Sequence, residues 1–337
     1  MAMYIPPPDP SLLPPAETAE ATIDVVHGSA QPGVEDSVLA GVEARELELE
    51  SLQKPRSMLR RGWEVFAENK LALVGLGTVV FMILFCFIGP LIYHTNQVNT
   101  NLADYLCPPS ASHLLGCNDV GYDELGRLMV GGQVSLEVGF AAAFVSVLIG
   151  TFYGAISGYI GGPVDSFLMR IVDAGLSIPY IMVVIILSVV FHPNTAIMIF
   201  IIAAFYWLGV ARLVRGETLT LRTREYVQAV KVAGGGSMRA VTRHVVPNAI
   251  GTIIVQATFA VADSILILAG LGFLGLGVQP PATDWGTMLS NGLTYLQGGG
   301  YWWLIYPPGI AIIVTCIAFN FIGDALRDAF ETRLQRR

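Results

Sequence analysis

The chain has 337 residues, of which 53% are hydrophobic and only 13% are charged, and its formal net charge is −7. Soluble domains carry about a quarter of charged residues, so this composition excludes an ordinary soluble protein and indicates a membrane protein. The acidity is local, because residues 1–53 hold ten of the 26 acidic residues and only one of the 19 basic ones. Nothing in this balance suggests a nucleic acid as a partner, for which a basic surface is typical.

The N-terminal 53 residues are rich in proline, alanine and acidic side chains. Such a segment cannot bury enough apolar surface to offset the entropy that is lost on folding. We therefore predict a disordered, acidic, proline-rich cytoplasmic tail over residues 1–53, followed by a transmembrane domain over residues 54–337. An acidic helix at residues 35–53 that docks a regulatory partner is the alternative interpretation.

Six apolar runs follow the tail, each long enough to cross a hydrocarbon core of roughly 30 Å. A segment in lipid must satisfy its own backbone hydrogen bonds, so each run is predicted to be helical. The predicted fold class is therefore an all-α polytopic membrane protein with six transmembrane helices. Pro179 predicts a kink in the third of them. The predicted spans are residues 71–92, 134–160, 167–191, 195–214, 249–276 and 302–322.

Lysine and arginine placement predicts the orientation, since these residues concentrate on the cytoplasmic side. With six spans, the N-terminal flank, the 161–170 turn, the 212–248 segment and the C-terminal tail share one side and hold 18 of the 19 basic residues. Only Arg127 lies on the other side. With five or seven spans, the 212–248 segment and one terminus would lie on opposite sides of the membrane. We therefore predict a multi-pass protein with both termini in the cytoplasm.

One polar segment between the apolar runs, residues 215–248, is notably basic. Its residues Glu225–Ala233 have helical periodicity. The run Gly234–Gly236 is predicted to end that helix, because glycine is a poor helix former and takes the left-handed conformation of helix ends. Ser237 is predicted to cap a second short helix that runs to Pro247. Two short helices joined at a glycine hinge on the aqueous side indicate a docking element.

Charged residues inside spans are costly in lipid and are therefore candidates for function. Asp263 lies in the middle of the fifth predicted span. Glu137 lies early in the second, where its side chain can instead extend to the outer surface. Asp173 follows Arg170 by three residues, which predicts an ion pair between neighbouring turns of one helix.

The outer loop contains Cys107 and Cys117, ten positions apart, with His113 between them. In an oxidising outside compartment the two cysteines could form a disulfide. Two cysteines alone cannot build a closed tetrahedral metal site, so we predict no metal, with a transient metal contact through His113 as the alternative. Cys86 and Cys316 lie in spans and are interpreted as small apolar packing groups.

Within the basic segment, the triplet Gln228-Ala229-Val230 is followed by Gly234 and later by the pair Val246-Pro247. This order resembles the permease subunits of ABC importers in the dipeptide, oligopeptide and nickel branch. The cytoplasmic signature of that family is an EAA triplet followed by a glycine and, further on, a Leu-Pro-like pair. Here Gln228-Ala229-Val230, Gly234 and Val246-Pro247 occupy these positions, with glutamine and valine replacing the glutamate and the second alanine. Further segments that resemble the family are Gly121–Leu128, Met169–Pro179, Arg243–Asn248, Leu271–Pro281 and Gly323–Phe330.

The resemblance implies the fold of a type I ABC importer permease in a bacterial inner or plasma membrane. It implies a homologous second permease, two ATPase subunits and an extracytoplasmic substrate-binding protein as partners, beside membrane lipid. ATP and Mg are then expected on the ATPase subunits, with no cofactor on this chain, and no GxxxxGK[ST] phosphate loop occurs in it. Di- or oligopeptides are the expected substrate, and nickel or another small solute is the alternative.

Two groups of site residues follow, neither of them catalytic. The residues predicted to couple to the ATPase are Glu225, Gln228, Ala229, Gly234, Ser237, Arg239, Arg243, His244 and Pro247. Asp263, Gly272 and Gly275 are predicted to line the translocation pathway, where Asp263 could contact the ammonium group of a peptide or a cation of the second permease. The alternative interpretations are structural. Gly234 would then only end a helix, and Arg243 and His244 would contact lipid head groups.

Two other classes of membrane protein are alternatives to the importer permease. A self-contained channel or secondary transporter would build its site within one chain, with inverted repeats, and no such internal symmetry is visible. A membrane enzyme would need paired carboxylates, a nucleophile with its base, or a ligand cluster, and the spans contain none of these.

Overall fold

The computed structural model describes residues 66–95, 97, 99–191, 193–232, 234, 236–295 and 300–331. These residues are helical or lie in turns and loops, with one isolated β-bridge between Cys117 and Asp123. The predicted acidic tail, residues 1–53, lies outside the described residues.

The bundle consists of long helices joined by short ones. In chain order the main helices are α1 (Lys70–Phe87), α2 (Gly89–Ile92), α3 (Glu124–Ile160), α4 (Gly162–Ser177), α5 (Tyr180–Phe191), α6 (Thr195–Leu221), α7 (Glu225–Val232), α8 (Ser237–Ala240), α9 (Val246–Asn248), α10 (Ile250–Phe273), α11 (Trp285–Thr294) and α12 (Tyr306–Glu331). Five of them are long and apolar enough to cross a membrane, namely α1, α3, α6, α10 and α12, and the bent pair α4–α5 can supply the sixth span. The predicted all-α polytopic class is confirmed.

The third predicted span, residues 167–191, is not one helix. It consists of α4 and α5, which are bent by 76° relative to each other. Between them Ile178 is extended, with φ −88° and ψ 130°, because a proline disfavours the helical conformation of the residue before it. The kink predicted at Pro179 is therefore a full break.

The helices of the second and fourth predicted spans, α3 and α6, are longer than predicted. Helix α3 begins at Glu124 rather than at residue 134, because the Asp123 carboxylate caps it and accepts a hydrogen bond from the Gly126 N–H at 2.8 Å. Its first turns hold the buried charged residues Glu124 and Arg127, so a search for apolar runs misses them. Helix α6 continues to Leu221, beyond the predicted end at residue 214.

Helix α3 lies at the centre and packs along α6 and α10. Its glycines at every fourth position, Gly150, Gly154 and Gly158, face α6 across a very short distance. A Cβ atom on Gly154 would lie 2.2 Å from the carbonyl oxygen of Ala211, so only glycine permits this approach. Stripes of small residues are typical of close helix packing in membranes, and this stripe was not predicted from the sequence.

The two ends of the bundle differ. At one end the outer loop meets the region after α11, where the indole N–H of Trp303 donates to the Cys117 carbonyl at 3.3 Å. At the other end the chain that leaves α6 lies on the C-terminal end of α3, where Arg222 donates to the Gly158 carbonyl at 3.0 Å. The basic polar segment is therefore held at the end opposite to the disulfide loop.

Candidate functional site

The connecting segment (residues 222–249) joins α6 to α10 and contains the predicted coupling residues. Most of these lie on its surface: Glu225, Gln228, Ala229, Gly234, Ser237, Arg239, Arg243 and Pro247 are exposed, and His244 is half-buried. The structure thus brings the whole predicted group together on one continuous segment. Whether they contact an ATPase stays a prediction.

The connecting segment turns at Gly234, which has φ +76°. This left-handed conformation is unfavourable for residues with a side chain, although the space around a Cβ atom there is open within 4 Å. Apolar side chains surround the turn in the sequence: Val232 is 89% exposed, Met238 59% and Tyr226 42%. We call these three exposed apolar residues the apolar tip.

Two details of the connecting segment differ from the prediction. Ser237 is the first residue of α8 rather than its cap, because the extended Gly236 takes the cap position and supplies no side-chain hydrogen bond. The second predicted helix consists of three pieces, α8, a π-helical turn at Val241–Val245 and α9. π-Helical turns are rare and occur frequently at functional sites.

The opposite face of the connecting segment is fixed to the bundle. Ala240, Val241 and Val245 are at most 1% exposed, and Val241 belongs to the same apolar core as Ala155 of α3 and Val214 of α6. The segment therefore has one buried apolar face and one free face that carries the predicted coupling residues.

An ion pair ties three helices together at this end of the bundle. Arg215 of α6 donates through Nε and Nη2 to the two carboxylate oxygens of Asp165 of α4, each at 2.6 Å. Ser157 of α3 donates to the same carboxylate at 2.6 Å. Bidentate pairs of this kind are geometrically specific. This ion pair was not predicted from the sequence, although Asp165 lies in the turn that precedes the predicted third span.

A cavity of about 530 Å³ lies where the α4–α5 break faces α6 and α10. Polar groups from all of these elements line it, namely Tyr180, Tyr206, Gln256 and Asp263. The Tyr206 hydroxyl donates to Asp263 Oδ2 at 2.7 Å. The remaining lining is largely apolar, so the cavity combines one carboxylate with hydroxyl and amide groups at a broken helix.

The predicted pathway residues separate in the structure. Asp263 lines the cavity, whereas Gly272 and Gly275 do not. Gly272 is buried where α10 meets the start of α11, and a Cβ atom there would lie 2.3 Å from Asp284 Oδ1. Gly275 forms an exposed turn after α10, with φ +77°.

The predicted ion pair between Asp173 and Arg170 is wrong. Asp173 of α4 pairs with Arg212 of α6 instead, because the two helices pack side by side and place the partners opposite each other. Both side chains are at least half exposed, at 50% and 56%. Tyr180, Tyr206 and Gln256 were also missed, because a single polar residue within an apolar run does not reveal which distant helix it faces.

The outer loop is closed by a disulfide between Cys107 and Cys117. His113 lies close to both sulfurs, but sulfurs bonded to each other are no thiolate ligands, and the His113 Nδ1 atom lies 3.0 Å from Asp123 Oδ2. The Tyr93 hydroxyl donates to the same oxygen at 2.8 Å. Burial and this carboxylate raise the pKa of Tyr93, which keeps the phenol protonated as a donor.

Known proteins resemble most of the chain. Residues 150–336 match the family described as binding-protein-dependent transport system inner membrane component, and residues 57–109 match the N-terminal TM domain of oligopeptide transport permease C. The chain is 37% identical over 295 residues to the dipeptide transport system permease protein DppC of Bacillus subtilis, covering 87% of this chain and 92% of that relative. It is 40% identical over 271 residues to the oligopeptide transport system permease protein OppC of the same organism, covering 80% and 88%. It is 38% identical over 291 residues to DppC of Escherichia coli K12, covering 84% and 95%.

Proposed function

Because the chain belongs to the family of binding-protein-dependent transport system inner membrane components, we propose that it forms one half of an ATP-driven uptake pathway for di- or oligopeptides. A homologous second permease supplies the other half in the bacterial inner or plasma membrane. Two ATPase subunits bind ATP and Mg, and this chain contributes no catalytic residue and holds no cofactor. An extracytoplasmic binding protein delivers the peptide. The peptide specificity rests on the names of the relatives.

The single observation that supports this proposal best is the two-faced connecting segment. Its buried face is anchored through Val241, which shares an apolar core with Ala155 of α3, and through the buried Val245. Its exposed face carries the apolar tip together with Arg239 and Arg243. An ATPase that receives the apolar tip in a groove can push on a segment that is fixed to the bundle. A segment without the buried face would move independently of the bundle and would not transmit the displacement to the other helices.

The helices on either side of the connecting segment also reach the cavity. Helix α6 enters the segment and carries Tyr206, and α10 leaves the segment and carries Asp263. Displacement of the segment therefore acts directly on two walls of the cavity. Because α6 and α10 join the cavity to the connecting segment, we assign the cavity to the part of the translocation pathway that this chain provides.

The proposed orientation places the connecting segment in the cytoplasm together with both termini. Arg215, Arg222, Arg224, Arg239 and Arg243 all lie at that end, in or beside the segment. Concentration of arginine and lysine on the cytoplasmic side is the rule for membrane proteins. The disulfide loop then faces the oxidising outside, where disulfides persist.

The test is a pair of glycine variants that each place a side chain at a positive φ. Gly234→Asp introduces a side chain at φ +76°, and Gly162→Asp does so at φ +60°, outside the connecting segment but at the same end of the bundle. A Cβ atom at either site has open space within 4 Å, and left-handed backbone costs about 1–2 kcal/mol in either variant. We expect both variants to insert into the membrane and only Gly234→Asp to abolish peptide uptake.

The readouts are the amount of each variant in purified membranes and ATP-dependent peptide uptake by cells that lack the wild-type gene. Normal uptake by Gly234→Asp, or an equal loss in both variants, would contradict the coupling role of this turn.

A further inference from the structure

The position of Asp263 limits what its carboxylate can face. Asp263 is exposed on α10, within the membrane-spanning part of the helix, and shares one helix face with Gln256 and Gly270. An ionised carboxylate within a span is unfavourable against lipid and faces a protein interior or a water-filled space. The cavity supplies such a space, and Asp263 lines it.

The charge of the cavity is negative. Among the described residues that line it, Asp263 carries the only formal charge, and there is no lysine, arginine or histidine. The nearby Asp173 and Arg212 neutralise each other. The C-terminal end of α4 and the N-terminal end of α5 meet at the break and have opposite partial charges. The carboxylate of Asp263 therefore determines the sign of the charge that the cavity attracts.

The hydrogen bonding of Asp263 leaves room for a ligand. Tyr206 donates to Oδ2, which orients the carboxylate, while within the described part of the chain Oδ1 accepts no hydrogen bond. A protonated amino group has three donors and forms charge-assisted bonds with such an oxygen. The volume of about 530 Å³ is within the range of roughly 300–1,000 Å³ that is common for small-ligand pockets.

We propose that this cavity is a binding subsite for the protonated amino terminus of the translocated peptide, with Asp263 as its ion-pair partner. Tyr206 is a positioning residue that orients the carboxylate. The apolar remainder of the lining takes the peptide side chains without selecting among them. This inference rests on the proposed function and adds a recognition group within the membrane.

The experiment measures peptide binding to the purified complex of this chain, the second permease and the ATPases, without the binding protein. The probes are labelled Ala-Ala and its N-acetylated form, which lacks the positive charge. The variants are Asp263→Asn, the charge-preserving Asp263→Glu, and Glu137→Gln as a matched control. Glu137 is an exposed carboxylate on α3 that does not line the cavity.

We expect Asp263→Asn to weaken Ala-Ala binding about tenfold or more, as for the loss of a hydrogen bond between charged groups. Binding of N-acetyl-Ala-Ala stays unchanged in this variant, Asp263→Glu recovers part of the affinity for Ala-Ala, and Glu137→Gln binds both probes as the wild type does. Tyr206→Phe is expected to weaken Ala-Ala binding less than Asp263→Asn does.

Three results would overturn the inference: equal changes for both probes in Asp263→Asn, no measurable Ala-Ala binding to the wild-type complex, or loss of the second permease from the purified Asp263→Asn complex. The last result would assign Asp263 to a cation of the partner instead. Uptake that depends on ATP and the binding protein is measured in parallel with the wild-type complex. Its absence would contradict the proposed function, whereas its presence together with any of the three results contradicts only the subsite.

Discussion

At the scale of single residues, the apolar tip has the clearest energetic consequence. Val232 and Met238 are 89% and 59% exposed, and burial of an apolar side chain of this size contributes about 1.5–3 kcal/mol. If an ATPase groove buries them, the double variant Val232→Ser with Met238→Ser should weaken ATPase binding by tenfold or more. The measurement is a titration of the purified permease pair with the ATPase subunit.

Thr223→Ala is the control for this double variant, because Thr223 is an exposed residue of the same segment whose hydroxyl donates to the carbonyl of Thr220. It should bind the ATPase as the wild type does. Unaltered ATPase affinity in the double variant would show that the apolar tip lies outside the contact.

The positions of single residues in the fold could be predicted from the sequence where one residue type has one strong physical reason. The turn at Gly234 follows from its missing side chain, and the cavity position of Asp263 follows from the cost of a charge in lipid. Ser237 was assigned to the wrong cap position, because the adjacent Gly236 adopts the extended conformation as readily. Tyr206 and Gln256 could not be found, since their role arises only when α6 and α10 face each other.

At the scale of the elements, the Asp165–Arg215 pair holds α4 and α6 together beside the connecting segment. The Asp165 side chain is 10% exposed and that of Arg215 30%, so removal of one charge leaves the other poorly solvated. We expect Asp165→Asn to destabilise the folded chain by about 2–4 kcal/mol and to lower its Tm clearly in detergent.

Asp173→Asn is the matched variant, because Asp173–Arg212 joins the same two helices through side chains that are at least half exposed. Exposed pairs contribute about 0–1 kcal/mol, so the Tm should barely change. Equal Tm shifts in the two variants would contradict a larger stabilising contribution from the buried pair.

The contact between α3 and α6 depends on glycine at one position and not at another. A Cβ atom at Gly154 would lie 2.2 Å from the Ala211 carbonyl, whereas at Gly216 of α6 it meets open space. Gly216→Ala should therefore stabilise the helix by about 0.5–1 kcal/mol, and Gly154→Ala should destabilise the chain, by about 1–3 kcal/mol for overpacking. Thermal unfolding of both variants distinguishes them, and a stabilising Gly154→Ala would contradict the close approach.

Helix boundaries were predictable where apolar runs coincide with helices, as for the start of α1 and both ends of α10, whereas α1 ends at Phe87 and not at residue 92. They failed where protein rather than lipid surrounds the helix. The first turns of α3 contain Glu124 and Arg127, which are buried in protein, so hydropathy placed the start too late. Pro179 signalled a distortion, but the 76° bend depends on how α5 packs on α6, which no local pattern contains.

At the scale of the whole molecule, α6 and α10 connect the two candidate sites. Each helix lines part of the cavity and meets the connecting segment at its end. The central claim is that force applied by an ATPase at the segment reaches the cavity through these helices. This chain alone then has no source of energy for uptake.

The most direct measurement of this claim is peptide uptake into proteoliposomes, with the binding protein and peptide outside and ATP inside. The vesicles contain either this chain alone or this chain with the second permease and both ATPase subunits. We predict uptake that requires ATP in the complete complex, none with this chain alone, and none in a complex that carries Gly234→Asp. Uptake by this chain alone, or uptake by the complete complex without ATP, would contradict the account.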